Sequence, residues 1–280
     1  MAVLSVDLAF RRWSDLGVVV LSRVPSRLHA SFVNCEILSF DRPGLDPAHD
    51  RGPHGQVFVR GVEDRGPVDA EILAGRLNHL CAVREIRVLM LDGPQAWKSR
   101  ANGLEHARVS ERQLNTAAKT GLPGMVKPAA SRSFAEFCMD VYDALSRRGW
   151  RRLQTRPQPL SADTAAAPSE RILVESYPHA AWKSLGLKPL PAKRRARVID
   201  LAESYGALRS VVPFTTNRPP NHDQLQAIVA GLPGLALEER NPSAMRIVGN
   251  PPRREQGHWR EGFIVLPLPP QKASSVRRLH

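Results

Sequence analysis

Apolar residues near the start of the chain fall into short runs that are typical of β-strands. The run VLSVDL over residues 3–8 is broken by a single acid, and the run GVVVL over residues 17–21 is rich in β-branched side chains. These two runs predict a β-hairpin. A third strand is expected over residues 31–40, where apolar and polar side chains alternate imperfectly. The Gly, Pro, Asp and His content of residues 41–66 predicts an exposed loop.

Helical spacing follows and predicts a helix that leads into a buried strand. The apolar positions of this helix are Ile72, Leu73, Leu77, Leu80 and Cys81, and the continuous apolar run of residues 86–91 comes next. The Asp-Gly-Pro sequence after that run ends the strand. Further helices are expected over residues 105–119, 134–148, 191–205 and 221–232, and further strands over residues 171–176, 246–248 and 263–266.

This order of elements predicts a mixed α/β fold in which helices cover both faces of a mixed sheet. The length of 280 residues fits one enlarged domain, which we expect over residues 1–270. A helical insertion is expected over residues 104–150. Residues 151–170, rich in Pro, Ser, Ala and basic side chains, are expected to be linker-like, and residues 271–280 a basic C-terminal tail.

The charge of the chain is strongly positive. Lysine and arginine number 40 against 27 acidic residues, which gives a net charge of +13 and an isoelectric point near 10.6. Such a field concentrates polyanions, so nucleic acid, either DNA or RNA, is the favoured partner. The alternative is that many arginines only solvate the surface or reflect a GC-rich genome.

One basic run is the favoured phosphate-tracking surface. Its members Lys193, Arg194, Arg195 and Arg197 lie on the helix expected over residues 191–205. A solvated helix face is the alternative.

Cysteine usage and hydropathy indicate a reducing compartment. Cys35, Cys81 and Cys138 are widely separated and odd in number, which argues against a disulfide framework and against a CxxC zinc site. The start of the chain lacks the pattern of a signal peptide, and no run of about 18 apolar residues occurs. We therefore expect a soluble cytoplasmic protein without a membrane partner. The sequence does not indicate an oligomeric state.

Three acidic residues lie inside or at the end of the strongest predicted strands. They are Asp7 in LSVDLA, Asp92 in VLMLDGP and Glu175 in ILVESYP. An ionised carboxylate in an apolar strand is costly unless it is paired or bound to a cation, so the three acids would converge if their strands are neighbours. For each acid singly, the alternative is a strand-end carboxylate bonded to backbone amides. Asp223, near the start of the last predicted helix, could join them or could only cap that helix.

The chemistry of these four acids predicts a site for a divalent cation. Hard cations such as Mg²⁺ and Mn²⁺ prefer oxygen ligands. Hydrolysis of a phosphodiester by two metal ions needs several carboxylates that converge on ions about 3.5–4 Å apart. Asp7, Asp92, Glu175 and Asp223 are therefore the candidate metal-binding and catalytic residues.

Six segments carry a family resemblance that spans nearly the whole chain. They are LSVDLA, VLMLDGPQAW, RVSERQLN, ILVESYPHAAWKSLG, NHDQLQAIVAGL and EGFIVLP, of which ESYPHAAW and the DGP turn are the most specific. Together they resemble the predicted-nuclease family catalogued as domain of unknown function 429. The resemblance implies a ribonuclease H-like fold, with three antiparallel strands, a helix, a parallel strand, a helix, a further strand and a closing helix. It also implies that the four acids named above bind the metal.

The resemblance has one departure and adds two residues. Related sequences tend to carry an acid before the Ala of the last-helix motif, whereas this chain has Gln226, so the metal site could be weakened or could rely on Asp223 alone. Arg108 and Glu111 match family positions, which implies a role such as phosphate contact by Arg108. The alternative is an ordinary exposed helix pair three residues apart.

A few other side chains are candidates with weaker support. His179 and His222 could touch a metal-bound water or a phosphate, but helix-start or packing roles are favoured, and neither makes an HxxxH zinc pattern. The aromatic residues Trp97, Tyr177 and Trp182 could stack on unpaired bases, although such residues are more often part of a core.

Three functions remain open from the sequence. No GxxxxGK[ST] loop, GxGxxG fingerprint or GxSxG elbow occurs, which argues against nucleotide triphosphatases, dinucleotide enzymes and serine hydrolases. The leading prediction is a metal-dependent nuclease. A non-catalytic nucleic-acid-binding module with a degenerate site is the alternative, and Gln226 favours it. A phosphotransferase or other small-molecule enzyme of the same fold is the third possibility.

Overall fold

A computed structural model of the protein describes residues 1–24, 27–33, 66–157 and 170–270. Its strands are β1 (Ala2–Asp7), β2 (Gly17–Val24), β3 (Arg27–Phe32), β4 (Val88–Asp92), β5 (Lys119–Thr120), β6 (Val126–Lys127), β7 (Arg151–Arg152), β8 (Ile172–Ser176), β9 (Phe214–Thr216), β10 (Met245–Val248), β11 (Arg253–Glu255), β12 (His258–Arg260) and β13 (Ile264–Pro267). Its helices are α1 (Ala70–Val83), α2 (Val109–Leu114), α3 (Arg132–Arg147), α4 (Pro178–Ser184), α5 (Val198–Val211) and α6 (His222–Glu238). Most of the expected loop, residues 34–40 of the expected third strand, residues 158–169 of the expected linker and the C-terminal tail lie outside the described residues.

One mixed sheet organises the described residues. Its strands follow the order β10–β13–β8–β4–β1–β2–β3–β9, and β7 pairs with β8 beside this path. Strands β1, β2 and β3 are successive antiparallel neighbours, whereas β4 lies parallel to β1, and β8 lies parallel to β4. This arrangement confirms the predicted mixed α/β class and the predicted hairpin of β1 and β2.

The side chains of β1 alternate between two apolar cores, because successive residues of a strand point to opposite faces of the sheet. Val3 packs in a core that also contains Ile228 of α6. Leu4 packs in a second core with Leu73 of α1 and Tyr142 of α3. Helices therefore cover both faces of the sheet, as the sequence predicted.

Helix α3 is an integral part of the second core. Its residues Cys138, Val141, Tyr142 and Leu145 are fully buried. Removing this helix would uncover one face of the central strands. Helix α3, within the segment 104–150 that was expected to be a helical insertion, is thus packed into the second core.

Helix α5 begins later than the sequence predicted. Its N-cap Arg197 has an extended backbone. Asp200 accepts hydrogen bonds from the backbone N–H and from Nε of Arg197, at 2.8 Å and 3.1 Å, and this contact fixes the first turn. Pro189 and Pro191 disfavour helical backbone in the residues before them. The basic run of residues 193–197 therefore lies on a turn rather than on a helix.

Two other predicted boundaries are corrected. The helix expected over residues 105–119 is only the short α2, because Asn115 takes a left-handed backbone with φ of 49° and ends it. The linker-like segment begins with a strand, since Arg151 and Arg152 pair with β8.

Helix α6 is longer than predicted and continues through Pro233 to Glu238. A proline inside a helix removes a backbone hydrogen bond. Burial of Leu235 and Leu237 on the sheet offsets that loss. Within the described ranges, neither α6 nor any other helix is sufficiently long and apolar to cross a membrane.

Close approach between α6 and the sheet depends on glycine. A Cβ at Gly231 would lie 2.7 Å from the Cβ of Ser5, and a Cβ at Gly17 would lie 2.2 Å from the backbone oxygen of Asp223. Gly17 is also the β2 partner of Asp7 in the antiparallel register. The absence of a side chain at this position therefore brings the start of α6 directly against the end of β1.

We expect Gly17→Ala to lower the free energy of unfolding by about 1–3 kcal/mol, because the added methyl group would push the first turn of α6 away from β2. Urea denaturation of the purified protein measures this change. Gly206→Ala on α5 is the matched control, since no described atom lies within 4 Å of its Cβ. That variant is expected to be neutral or to stabilise by up to about 1 kcal/mol. Equal effects of the two substitutions would contradict the close approach at Gly17.

Candidate functional site

Two acidic side chains meet at the carboxyl ends of the central parallel strands. Asp7 ends β1 and lies beside Asp92, the last residue of β4, in the parallel register. Ser176 ends β8 and lies beside Asp92 on its other side. Strand alternation puts Asp7 on the face of Val3, which is the face that α6 covers. The sheet thus places three oxygen-bearing side chains in one row.

The parallel register places the carboxyl groups of Asp7 and Asp92 side by side, and both residues are half-buried. Two ionised carboxylates at this spacing repel each other, so a proton or a cation between them is favourable. Burial, together with the charges of Asp92 and Asp223, raises the pKa of Asp7 well above its usual value. Burial also raises the pKa of Asp92 to about 7. The pair therefore holds a negative charge that the surrounding protein does not fully neutralise.

Asp223 faces this pair from the first turn of α6. It does not cap the helix, because the side chain of Asn221 accepts the capping hydrogen bond from the Gln224 N–H at 2.9 Å. The Asp223 Oδ2 atom lies 2.5 Å from Nζ of Lys193, and its Oδ1 atom lies 3.2 Å from Nδ1 of His222. Both oxygens of Asp223 therefore have a nitrogen neighbour.

Lys193 links Asp223 to the connection between the first two strands. Its Nζ atom also lies 2.8 Å from Oδ1 of Asp15, on the turn between β1 and β2. The positive charge of Lys193 lowers the pKa of Asp7, in opposition to burial. Lys193 thus brings a single positive charge into the group formed by Asp7, Asp15 and Asp223.

Glu175 is close to this group but is bound differently. Its neighbour Leu173 belongs to the second core, so strand alternation turns Glu175 to the face opposite that of Asp7. Arg108 donates hydrogen bonds from Nη1 and Nη2 to the two carboxylate oxygens, each at 2.6 Å. The backbone N–H of Gln95 adds a third at 3.0 Å. The structure therefore brings Asp7, Asp92 and Asp223 together and places Glu175 in a separate ion pair.

Arg108 is a buried structural cation rather than an exposed phosphate ligand. Only 1% of its surface is exposed. Its Nε and Nη2 atoms donate to Glu111 at 3.1 Å and 3.0 Å, and Thr120 donates to the same acid at 2.8 Å. Burial by itself lowers the pKa of Arg108, but the charges and hydrogen bonds of Glu175 and Glu111 outweigh it and raise that pKa. The expected phosphate contact by Arg108 does not fit this position, nor does the alternative of an exposed helix pair.

Gln226 has a partner of its own. It lies one helical turn after Asp223 and accepts a hydrogen bond of 2.9 Å from Nε1 of Trp182. Trp182 is fully buried and Trp97 is 8% exposed, so neither ring is free to stack on a base. Tyr177 is half-buried beside the ring of His179. These aromatic residues have the packing roles that the sequence favoured.

Two residues of the basic run form ion pairs, and the other two are exposed. Lys193 bonds to two acids, and Arg197 is paired with Asp200 at the start of α5. Arg194 and Arg195 are exposed on the turn between them. This division had no sequence signal, since all four residues look alike in the pattern.

Ser176 is the site residue that sequence reasoning missed. It is 1% exposed, and its Oγ atom has no hydrogen-bond partner among the described residues. Its position one residue after Glu175 was a signal, because a parallel register can bring either residue beside Asp92. Within the described ranges, no three side chains of His, Cys, Asp or Glu form a ready-made metal-binding group.

Comparisons with known proteins add little to this geometry. The sequence matches no protein-family profile and no curated protein. Among solved structures, the chain is similar to one described as a Thermus thermophilus RuvC structure, with 11% identity and a TM-score of 0.34, over 85% of this chain and 96% of that one. A likeness at this TM-score carries no argument. The site is therefore judged from its own residues.

We expect the stability of the protein in chelator to fall as the pH rises from about 4 towards 8. Because the folded state raises the pKa of Asp92 from 3.8 to about 7 and also raises that of Asp7, the folded protein holds protons that the unfolded chain releases. The stability that this proton binding contributes is present at low pH and is lost as the carboxyls ionise. Thermal melts at several pH values measure the trend.

The Asp7→Asn variant separates this effect from other titrating groups. It removes one charge of the pair, so its melting temperature should exceed that of the wild type at pH 8 and differ less at pH 5. A difference between wild type and variant that does not change with pH would contradict the raised pKa values of Asp7 and Asp92.

We expect Arg108→Met to destabilise the protein by about 3–5 kcal/mol, because it leaves the buried Glu175 and Glu111 without their cation. The matched control is Arg132→Met, which breaks an exposed pair with Glu136 and should cost about 1 kcal/mol or less. Adding Glu175→Gln to Arg108→Met should restore part of the stability. Failure of that rescue would mean that Glu175 is not held mainly by Arg108.

Proposed function

We propose that this protein is a metal-dependent hydrolase of phosphodiester bonds in nucleic acid. The observation that carries this proposal is the half-buried Asp7–Asp92 pair, two carboxyl groups in register at the carboxyl ends of neighbouring parallel strands. A like-charged pair that is partly removed from water is unfavourable unless a proton or a cation lies between its members. A divalent cation with oxygen ligands is the partner that suits two aspartates.

The strand order supports a ribonuclease H-like fold as part of this proposal. Three successive antiparallel strands, β1 to β3, are followed by α1, the parallel strand β4, the covering helix α3, the parallel strand β8 and the long helix α6. This is the order that the resemblance to the domain of unknown function 429 family implies. We propose membership of that family on the basis of the sequence motifs.

The residues at the site fit a bound Mg²⁺ or Mn²⁺. Asp7 and Asp92 would hold the ion, and the unpartnered Ser176 hydroxyl beside Asp92 is a neutral oxygen available to it or to its water. When bound, such an ion supplies positive charge that acidifies a water molecule and polarises a phosphoryl oxygen. Asp223 faces the pair from α6. Glu175 binds Arg108 and accepts a hydrogen bond from the Gln95 N–H, so it ties β8 to the loop that follows β4.

The charge of the chain supports a nucleic-acid substrate. The net charge of +13 attracts a phosphate backbone, and Arg194 and Arg195 are exposed beside Lys193 at the site. Their guanidinium groups are suited to phosphate oxygens and would hold the backbone next to the carboxylates. DNA and RNA share this backbone chemistry, and the proposal covers both.

A second candidate is a nucleic-acid-binding module that does not cleave. Two of the four predicted metal ligands already have protein cations, since Lys193 bonds to Asp223 and Arg108 bonds to Glu175. Gln226 stands where an acid is expected and bonds to Trp182. A site with so much internal neutralisation can bind nucleic acid without hydrolysing it.

We expect the wild-type protein to cleave labelled single- or double-stranded DNA or RNA in Mg²⁺ or Mn²⁺ and to lose this activity in chelator. Asp7→Asn should reduce cleavage to the chelator level while folding and nucleic-acid binding persist, because the change keeps the size of the side chain and removes a metal-binding charge. Asp140→Asn makes the same chemical change at an exposed position of α3 and should leave cleavage unchanged.

The assay also separates the two candidates. Cleavage that persists in Asp7→Asn or in chelator would reject the proposed mechanism. Binding of nucleic acid by the wild type with no cleavage under any metal would favour the binding module.

A further inference from the structure

Lys193 occupies an unusual position for a residue in a basic surface run. Its ammonium lies 2.5 Å from Asp223 and 2.8 Å from Asp15, whereas 48% of its side chain is exposed. The side chain of Asp223 is only 8% exposed. The lysine therefore reaches from the surface with its charged end against a buried carboxylate.

We propose that the site takes one divalent cation, held by Asp7 and Asp92, and that the Lys193 ammonium supplies the second positive charge, at Asp223. This inference rests on the proposed function, because it concerns the ion that the proposed hydrolase uses. A site with one divalent ion differs from the two-ion site that the four acids predicted in the sequence.

The partners of Asp223 carry this inference. A second divalent ion at Asp223 needs at least one of its oxygens, yet Oδ2 faces Lys193, and Oδ1 faces His222 at 3.2 Å. Because Asp223 is only 8% exposed, its ion pair with Lys193 is screened less than a pair between two surface residues, which favours the ammonium at this position. Asp7 and Asp92, by contrast, form no ion pair with a cationic side chain among the described residues, since the ion pairs of Lys193 are with Asp15 and Asp223. An external cation is therefore favoured at the Asp7–Asp92 pair and not at α6.

Asp15 holds the Lys193 ammonium from a second element of the site. Its carboxylate lies on the turn that follows β1, where its pKa is lowered by hydrogen bonds from Lys193 and Arg12 despite the opposing effect of burial. An ionised Asp15 gives the ammonium a second acceptor on the side away from α6. Lys193 is thus held between two elements of the site, as a bridging metal ion would be.

The inference is tested by the number of ions that the full chain binds. Isothermal titration with Mn²⁺, without nucleic acid, should give one ion per chain for the wild type. Lys193→Met removes the ammonium and should raise the number to two, because Asp223 and Asp15 then lack their cation. Lys188→Met removes an exposed lysine from the same connecting segment and should leave the number at one.

The possible outcomes separate this inference from the proposed function. Two ions in the wild type, or one ion in Lys193→Met, would overturn the inference and leave the hydrolase proposal standing. No Mn²⁺ binding by any of these proteins would overturn the inference together with the metal site. If Lys193→Met does not fold in thermal melts, Lys193→Gln replaces it. The number of ions bound by the wild type remains a test by itself, because two ions there would overturn the inference.

Discussion

The contact between Asp7 and Asp92 is the constraint on which the site depends. Parallel pairing of β1 and β4 fixes the two residues at the same height, and neither strand can shift by one residue without turning its apolar side chains out of their cores. The packing of the sheet therefore forces two carboxyl groups together. Because burial raises the pKa of both, the sheet creates a place that a proton or a cation must fill.

Other buried carboxylates of the protein are stabilised by different partners. Glu175 receives a buried arginine, Asp223 receives a lysine, and Glu261 accepts backbone hydrogen bonds from Ser99 and Val109 at 2.9 Å. Each of these arrangements neutralises or solvates a carboxylate within the protein. The Asp7–Asp92 pair lacks such a cation of its own, and Lys193 reaches it only as a neighbouring charge. The place where an external cation would bind is therefore indicated by which carboxylates lack a cation from the protein, and not by the number of acids.

The sequence predicted the parts of this arrangement that depend on local pattern. Apolar runs located β1, β4 and β8, and an acid at the end of each run located Asp7, Asp92 and the β8 terminus. Long-range partners were not predictable, because Arg108 and Glu175 are 67 residues apart and Lys193 and Asp223 are 30 apart. The choice between Glu175 and Ser176 depended on a register of one residue. Helix α5 was misplaced because its start is set by Arg197 and Asp200 rather than by apolar spacing.

Gln226 connects the charge of the site to its packing. It lies three residues after Asp223 on α6, so the two side chains share one face of the helix. Its oxygen accepts a hydrogen bond from Trp182, and a glutamate at the same position would accept it equally well. Relative to the family that the sequence motifs resemble, the difference at this position would therefore be one negative charge and not a lost contact. A site with one acid fewer needs less positive charge to balance it. The Lys193 ammonium at Asp223 supplies one positive charge, whereas a second divalent ion would supply two.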